Sequence, residues 1–346
     1  MKVLVTGGAG FIGSNLVCFL LRESPELEIT NFDKLTYAGN LENLAAVADS
    51  ARYRFIHADI ADPRAVDRAF ARGFDAVIHL AAETHVDRSI EDAAPFLRTN
   101  VAGTQVLLDA ARRHGVSRFI HISTDEVYGS APAGADFDES APLRPSSPYA
   151  ASKAAADLLV LSYVHTFGLP ALILRCTNNF GPYQFPEKLI PLMIAGAMED
   201  RPLPVYGDGR HVRDWLYVED CCRAIRLALG AGRAGEIYNV SAGSRRTNLQ
   251  VVRALLDRLG KPRSLITFVE DRPGHDRRYA LDSRKLRKEL GWQPLRSFAE
   301  ALAATVEWNR SNAAWLGRCR SGAYRSYYRR HYTERKKTLA RQGLPQ

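Results

Sequence analysis

The sequence predicts an α/β fold: a doubly wound, parallel-sheet Rossmann domain joined to a smaller C-terminal α/β domain. Three observations lead there. Short β-branched runs alternate with longer amphipathic stretches through the first half of the chain, and parallel neighbours need such a crossover between them. A glycine-rich turn follows the first run. Runs such as Ala76-Val77-Ile78-His79-Leu80 are largely apolar instead of alternating, as strands are when helices cover both faces of their sheet.

The candidate strands are 2–6, 28–32, 53–57, 76–80, 119–123 and 171–175, separated by helical patterns at 13–22, 63–72, 99–114 and 148–167. Gly73 and Gly115 stand where a helix C-terminus favours a left-handed residue. Beyond Arg175 the rhythm changes. Pro182, Pro186, Pro191, Pro202 and Pro204 break up 178–206, and the next helical pattern with a clear apolar face starts near Val218. The expected division is 1–177 for the first domain, joined by part of 213–245, with an interleaved second domain at 178–332 and a basic tail at 333–346. Four prolines make 131–148 read as a mobile surface loop.

At 346 residues the chain suits about two domains, and 46% hydrophobic with 25% charged residues is a globular composition. The net charge of +9 is local. From Arg310 onward ten Lys/Arg face only Glu334, while 1–309 balance 37 basic against 37 acidic residues. The tail (Arg329, Arg330, Arg335, Lys336, Lys337, Arg341) therefore reads as a solvated end and not as a nucleic-acid surface, with Tyr324–Tyr332 expected to pack on something. Cys18, Cys176, Cys221, Cys222 and Cys319 form no disulfide or zinc pattern, and they predict reduced thiols in a cytoplasmic protein without a metal. The apolar stretch 158–174 is broken by Gly168-Leu169-Pro170, so no membrane span is expected.

The first strand ends in Thr6-Gly7-Gly8-Ala9-Gly10-Phe11-Ile12-Gly13. Gly7 permits a tight turn, Gly10 lets backbone N–H groups approach a pyrophosphate, and Gly13 lets the next helix pack on the sheet. Asp33, twenty residues after Gly13, is placed to accept from a ribose 2′-hydroxyl, which favours NAD over NADP. Lys34 weakens that preference, since it is able to neutralise a 2′-phosphate in part.

Three further strings carry chemistry: Ala81-Ala82-Glu83-Thr84-His85-Val86-Asp87-Arg88-Ser89, Thr124-Asp125-Glu126-Val127-Tyr128-Gly129, and Tyr149-Ala150-Ala151-Ser152-Lys153. Tyr149 and Lys153 share one helix face. An ammonium near a phenol is expected to lower its pKa and make it a base, with the Thr124 hydroxyl on the same substrate oxygen. Hydride transfer alone needs no carboxyls, so Asp125-Glu126 suggests an added acid and base. To act together they must lie where the strand turns, and one of two close carboxyls should have a raised pKa.

With these strings the chain resembles the extended short-chain dehydrogenase/reductase superfamily. Within it the chain is similar to the dTDP-glucose 4,6-dehydratases, through the Glu83–Ser89 and Thr124–Gly129 strings together with Asp33-Lys34-Leu35-Thr36-Tyr37-Ala38-Gly39-Asn40-Leu41, Asn178-Asn179-Phe180-Gly181-Pro182-Tyr183, Arg213-Asp214-Trp215-Leu216-Tyr217-Val218-Glu219-Asp220 and Ser321-Gly322-Ala323-Tyr324-Arg325. The resemblance implies oxidation of the sugar at C4 with NAD, loss of water across C5 and C6, and hydride return to C6. Tyr149 would be the base at the 4-hydroxyl, Glu126 the base at C5 and Asp125 the acid at the C6 hydroxyl, while the cofactor stays bound.

It further implies cofactor contacts at Gly7, Gly10, Phe11, Ile12, Gly13, Asp33, Lys34, Leu35, Thr36, Asp59, Ile60, Leu80, Ala81, Ala82, Thr84, Thr99, Tyr149, Lys153 and Asn179. Substrate contacts are implied at Thr84, Thr124, Asn178, Lys188, Leu189, Pro204, Tyr206, Arg213, Asn248, Arg272 and His275. The helices at 99–114 and 148–167 fit the pair with which this family forms a homodimer. A nucleotide-sugar 4-epimerase shares the oxidation, but small residues would be expected in place of Asp125 and Glu126. A binding scaffold would need none of the catalytic five. UDP- or CDP-glucose in place of dTDP-glucose stays open, because base choice rests on a few pocket contacts.

Overall fold

The computed structural model describes residues 1–320 and 323–334; most of the expected basic tail, from residue 335 onward, lies outside the described residues. The main sheet holds β1 (Lys2–Thr6), β2 (Glu28–Asp33), β3 (Tyr53–His57), β4 (Ala76–His79), β5 (Arg118–Thr124) and β6 (Ala171–Cys176). A seventh strand, Ile237–Val240, pairs with β6, and the order is Ile237–Val240, β6, β5, β4, β1, β2, β3. All its pairings are parallel. The winding reverses at β1, which lies between β2 and β4. Crossovers leave in opposite directions there and open a crevice at the carboxyl ends of the strands. Helices bury both faces of the sheet. One core gathers Leu16, Leu20, Ile120 and Ile225, the other Leu107, Phe119, Val160 and Ile173.

Beyond β6, Asn178–Phe180, Val212–Tyr217 and Arg245–Thr247 form a three-stranded sheet, and Leu203–Tyr206 pairs with Ile266–Val269. They share a core of Phe180, Met193, Trp215, Leu255 and Leu302. The proline-rich stretch differs from its sequence reading, because it contains the helix Leu189–Met198. Pro191 falls in the first turn, where a missing N–H costs no intrahelical bond. Every residue from Ile190 to Ala197 is buried, so no polar face exists to create a periodic signal.

The pattern at 99–114 is also not one regular helix. It starts as a π-helix, Leu97–Gly103, and continues as the α-helix Thr104–Arg113. The segment 131–148 is fastened where a mobile loop was expected: Ala131 N–H donates to Arg278 O (2.8 Å), Phe137 N–H to Ala280 O (3.0 Å) and Arg144 N–H to Val127 O (3.0 Å). Gly73 and Gly115 have φ of +74° and +65°, the left-handed geometry expected of them. Tyr324 is buried with its hydroxyl on Pro186 O, and Tyr332 stacks on Tyr206 at 5.7 Å. All five cysteines are free thiols. Among the described residues no helix is long and apolar enough to cross a membrane.

Candidate active site

A cavity of about 300 Å³ opens at the carboxyl end of the main sheet. Its floor is the glycine turn. Gly7 has φ +72°, and a Cβ there would lie 2.7 Å from the Ala81 backbone. A Cβ on Gly13 would strike the Gly7 carbonyl. The helix Phe11–Glu23 then starts at Gly10 with no side-chain cap, which leaves its first N–H groups and its positive dipole end for an anion. Gly10, Phe11, Ile12 and Gly13 all line the cavity.

Asp33 reaches the cavity from the end of β2. Its carboxylate accepts the backbone N–H of Ala9 (2.9 Å) and of Leu35 (2.8 Å), while burial pushes its pKa up. Lys34 Nζ pairs with Asp59 at 2.9 Å, so its charge is engaged by a carboxylate and is not free for a 2′-phosphate. Thr36, Asp59, Ile60, Leu80, Ala81, Ala82, Thr84, Thr99 and Asn179 line the same cavity. Leu35 does not; it turns at φ +54° and packs against the hydrophobic core. The buried Oδ1 of Asn179 and Oε1 of Gln184 have no protein partner. A dinucleotide therefore fits these residues: the cradle has no room for side chains, the helix end is uncapped, and polar atoms await a ligand.

β5 delivers Thr124 to the cavity, and the chain then turns through the 3₁₀ segment Asp125–Tyr128. Thr124 caps that turn, its hydroxyl accepting the Glu126 N–H at 3.3 Å and donating to Asp125 Oδ1 at 3.1 Å. The carboxyl pair thus lies where the strand ends. Burial, and then the neighbouring Glu126 charge, push Asp125 well above the usual carboxylate range, as expected of one member of such a pair. Its Oδ2 is buried without a protein partner.

Tyr149 and Lys153 stand one turn apart on the helix Pro148–Phe167, and both line the cavity with Thr124, Asp125 and Glu126. Their electrostatics differ from the sequence expectation. Burial and then the Glu126 charge push the Tyr149 phenol well above its usual range. Lys153 Nζ donates to Ile122 O (2.7 Å) and lies 3.2 Å from His121 Nε2, and burial pulls its pKa down to about 8.

The residues expected at the substrate divide into two groups. Thr84, Asn178 and Lys188 line the cavity, with Lys188 Nζ donating to Thr84 O at 2.9 Å. Leu189, Pro204, Tyr206, Arg213, Asn248, Arg272 and His275 do not line it. Leu189 opens a helix, and Pro204 is buried in a strand. The Glu126 charge nevertheless favours the charged forms of Arg213 and Arg272, and each has a buried guanidinium nitrogen without a partner, as Asn248 has at Oδ1. Tyr206 donates to Asp87 at 3.1 Å. His275 stacks on His211 with ring centroids 3.7 Å apart. Burial and Arg272 pull His275 down to about 3, so it is neutral at ordinary pH.

Sequence reasoning missed three groups around the site. Asp271 accepts from His275 (2.6 Å) and His211 (3.2 Å) at once. Glu187 is buried beside Lys188, takes the Tyr37 hydroxyl at 2.7 Å and faces Arg88 at 3.3 Å. Under Lys153, Asp157 holds Arg175 at 2.8 Å and lies 3.5 Å from His121. The signal for Asp157 was its spacing, one turn beyond Lys153. The other two groups show no pattern before folding.

The chain matches the family model described as GDP-mannose 4,6 dehydratase over residues 4–305. It is 54% identical over 319 residues to a dTDP-glucose 4,6-dehydratase of Streptomyces niveus, covering 91% of this chain and 94% of the other. The Salmonella typhimurium dTDP-glucose 4,6-dehydratase is 47% identical, with 97% and 100% covered. Among solved structures, the dTDP-glucose 4,6-dehydratase DesIV of Streptomyces venezuelae, crystallised with NAD, superposes with a TM-score of 0.90 at 51% identity, covering 92% of this chain and all of the other. The Thermus thermophilus UDP-glucose 4-epimerase, also with NAD, is more distant at 36% identity and a TM-score of 0.84, with 90% and 100% covered. By these likenesses, and by the carboxyl pair set beside Tyr149 and Lys153, the chain belongs to the dTDP-glucose 4,6-dehydratase family.

Proposed function

We propose that this cavity carries out the dehydration of dTDP-glucose to dTDP-4-keto-6-deoxyglucose, with the proton transfers divided among Tyr149, Glu126 and Asp125. The observation that carries the reading is the Thr124-capped turn, which sets two carboxyls in the cavity with Tyr149, where burial and the Glu126 charge push Asp125 well above the usual carboxylate range. An epimerase has no use for that pair.

NAD, held by the glycine turn and Asp33, supplies the hydride acceptor for C4 and the hydride donor for C6. In its phenolate form Tyr149 takes the proton of the 4-hydroxyl, and Thr124 hydrogen-bonds the same oxygen. The 4-ketone acidifies C5, and Glu126 removes that proton. Asp125, kept neutral by burial, donates from the buried, unpartnered side of its carboxyl to the hydroxyl leaving C6. Arg213 and Arg272 offer forked donors for the diphosphate, and Asn178, Lys188 and Asn248 hold the sugar and base.

In this reading residues 1–177 with the returning strand hold the cofactor, and 178–332 hold the substrate. The helices that carry exposed Leu97, Leu158 and Phe167 pair across a homodimer. The free thiols suit the cytoplasm. Substrate deuterated at C4 tests the reading: the label should appear at C6 of the product, and its loss to solvent or to added cofactor would overturn it.

A further inference from the structure

The cofactor accepts a hydride from C4 and returns it to C6 within one cycle, so it has to stay in place while the sugar is a 4-ketone. Reduced cofactor lost at that stage would strand the intermediate and leave no hydride for C6. Two walls of the cavity come from segments far apart in sequence. One is the loop after β2, where Thr36, Ala38 and Gly39 line the cavity, and the other includes Phe185, Glu187 and Lys188. A triad of side chains joins them.

Tyr37, between Thr36 and Ala38, reaches from the first wall to the second. Its hydroxyl donates to Glu187 Oε1 at 2.7 Å, and its ring meets the Phe185 ring edge-on with centroids 5.4 Å apart. Arg88, on the helix Val86–Glu91, lies 3.3 Å from Glu187 Oε2 and places its guanidinium 3.9 Å from the centre of the Tyr37 ring. Glu187 is 4% exposed, so its carboxylate is served by these partners and not by bulk water, and hydrogen bonds to an ionised acceptor are the strong ones. Tyr37 does not itself line the cavity, so it acts through the wall. We propose that Tyr37 is a positioning residue that retains the dinucleotide through the cycle, its hydroxyl latching the cofactor loop to Glu187 while Arg88 holds both. Tyr37→Phe isolates that hydroxyl, because the ring keeps its place against Phe185 and Arg88 and only the bond to Glu187 is lost.

The proposal rests on the hydride cycle for its purpose, but retention is measured without substrate. Holoenzyme loaded with radiolabelled NAD and chased with excess unlabelled NAD gives the release rate. Loss of a hydrogen bond to a buried charge should make release from Tyr37→Phe about 10- to 100-fold faster. Tyr238→Phe removes the same kind of bond, from the Tyr238 hydroxyl to Glu289 at 3.0 Å, on the far edge strand of the main sheet, and should release NAD at the unaltered rate. During turnover of dTDP-glucose, Tyr37→Phe should shed free NADH and lose activity unless NAD is supplied. Release from Tyr37→Phe at the unaltered rate, equal acceleration by Tyr238→Phe, or turnover of Tyr37→Phe without loss of NADH would overturn the proposal. If the unaltered enzyme forms no 4-keto-6-deoxy product, the functional reading itself has failed, and the release rates still decide the latch.

Discussion

Lys153 Nζ lies 3.2 Å from His121 Nε2 and donates to the Ile122 carbonyl at 2.7 Å, so its nearest polar partners lie on β5. Burial brings Lys153 down to about 8 from 10.5. The unfolded chain therefore binds more protons between these values, and stability from this group rises with pH across that window, by up to about 3 kcal/mol. Below about pH 8 the full burial penalty is present. Urea unfolding of ligand-free Lys153→Met and of the unaltered protein should show the stability difference moving in favour of the unaltered protein between pH 8 and 10. A difference independent of pH would contradict the depressed value.

The carboxyl pair gives a separable defect. Asp125→Asn with Glu126→Gln leaves Tyr149, Lys153 and Thr124 in place, so C4 oxidation should continue while water loss stops. Reduced cofactor should build up, visible at its near-ultraviolet absorbance band, with dehydration slowed by about 10²–10⁴-fold. Normal product formation would refute the acid–base assignment.

Gly13→Ala tests the phosphate cradle. The added Cβ would meet the Gly7 carbonyl and lie 2.7 Å from Gly8 Cα, both backbone, so no side-chain rotation relieves it. Overpacking of this kind costs about 1–3 kcal/mol, which, if it falls on the bound state, is about 5- to 150-fold in affinity. The purified variant should carry much less NAD, measured by releasing and quantifying the nucleotide.

Asp157 is fully buried against Arg175, whose guanidinium also donates to the Tyr128 hydroxyl at 2.7 Å. Asp157→Ala leaves that guanidinium charged and short of a partner. Removing one member of a buried pair costs about 3–5 kcal/mol, and the urea midpoint should fall accordingly. An unchanged midpoint would mean that water or another acid compensates.

The local part of this protein was legible because its causes are local. The Gly7–Gly13 turn, Asp33 at a strand end, the Tyr149/Lys153 spacing and the Asp125-Glu126 step each express a rule that neighbours in sequence satisfy. The same holds for the first six strands, set by short β-branched runs. Where the rule needs a solvent-facing side to be visible, reading failed: Leu189–Met198 is buried on every side and so lacks a period, and the prolines of 131–148 suggested freedom for a segment that distant backbone bonds fasten.

By itself the sequence determined the fold class, the glycine turn and the local strings that carry Thr124, Asp125, Glu126, Tyr149 and Lys153, since these follow from residue type and short-range spacing. Tertiary structure alone decided what those groups touch and in which direction burial moves their pKa values. It seats Lys153 on His121, sets Asp157 against Arg175 from another strand, and bridges His211 and His275 through Asp271. Burial and contacts between distant segments fix protonation, and neither exists until the chain has closed around its core.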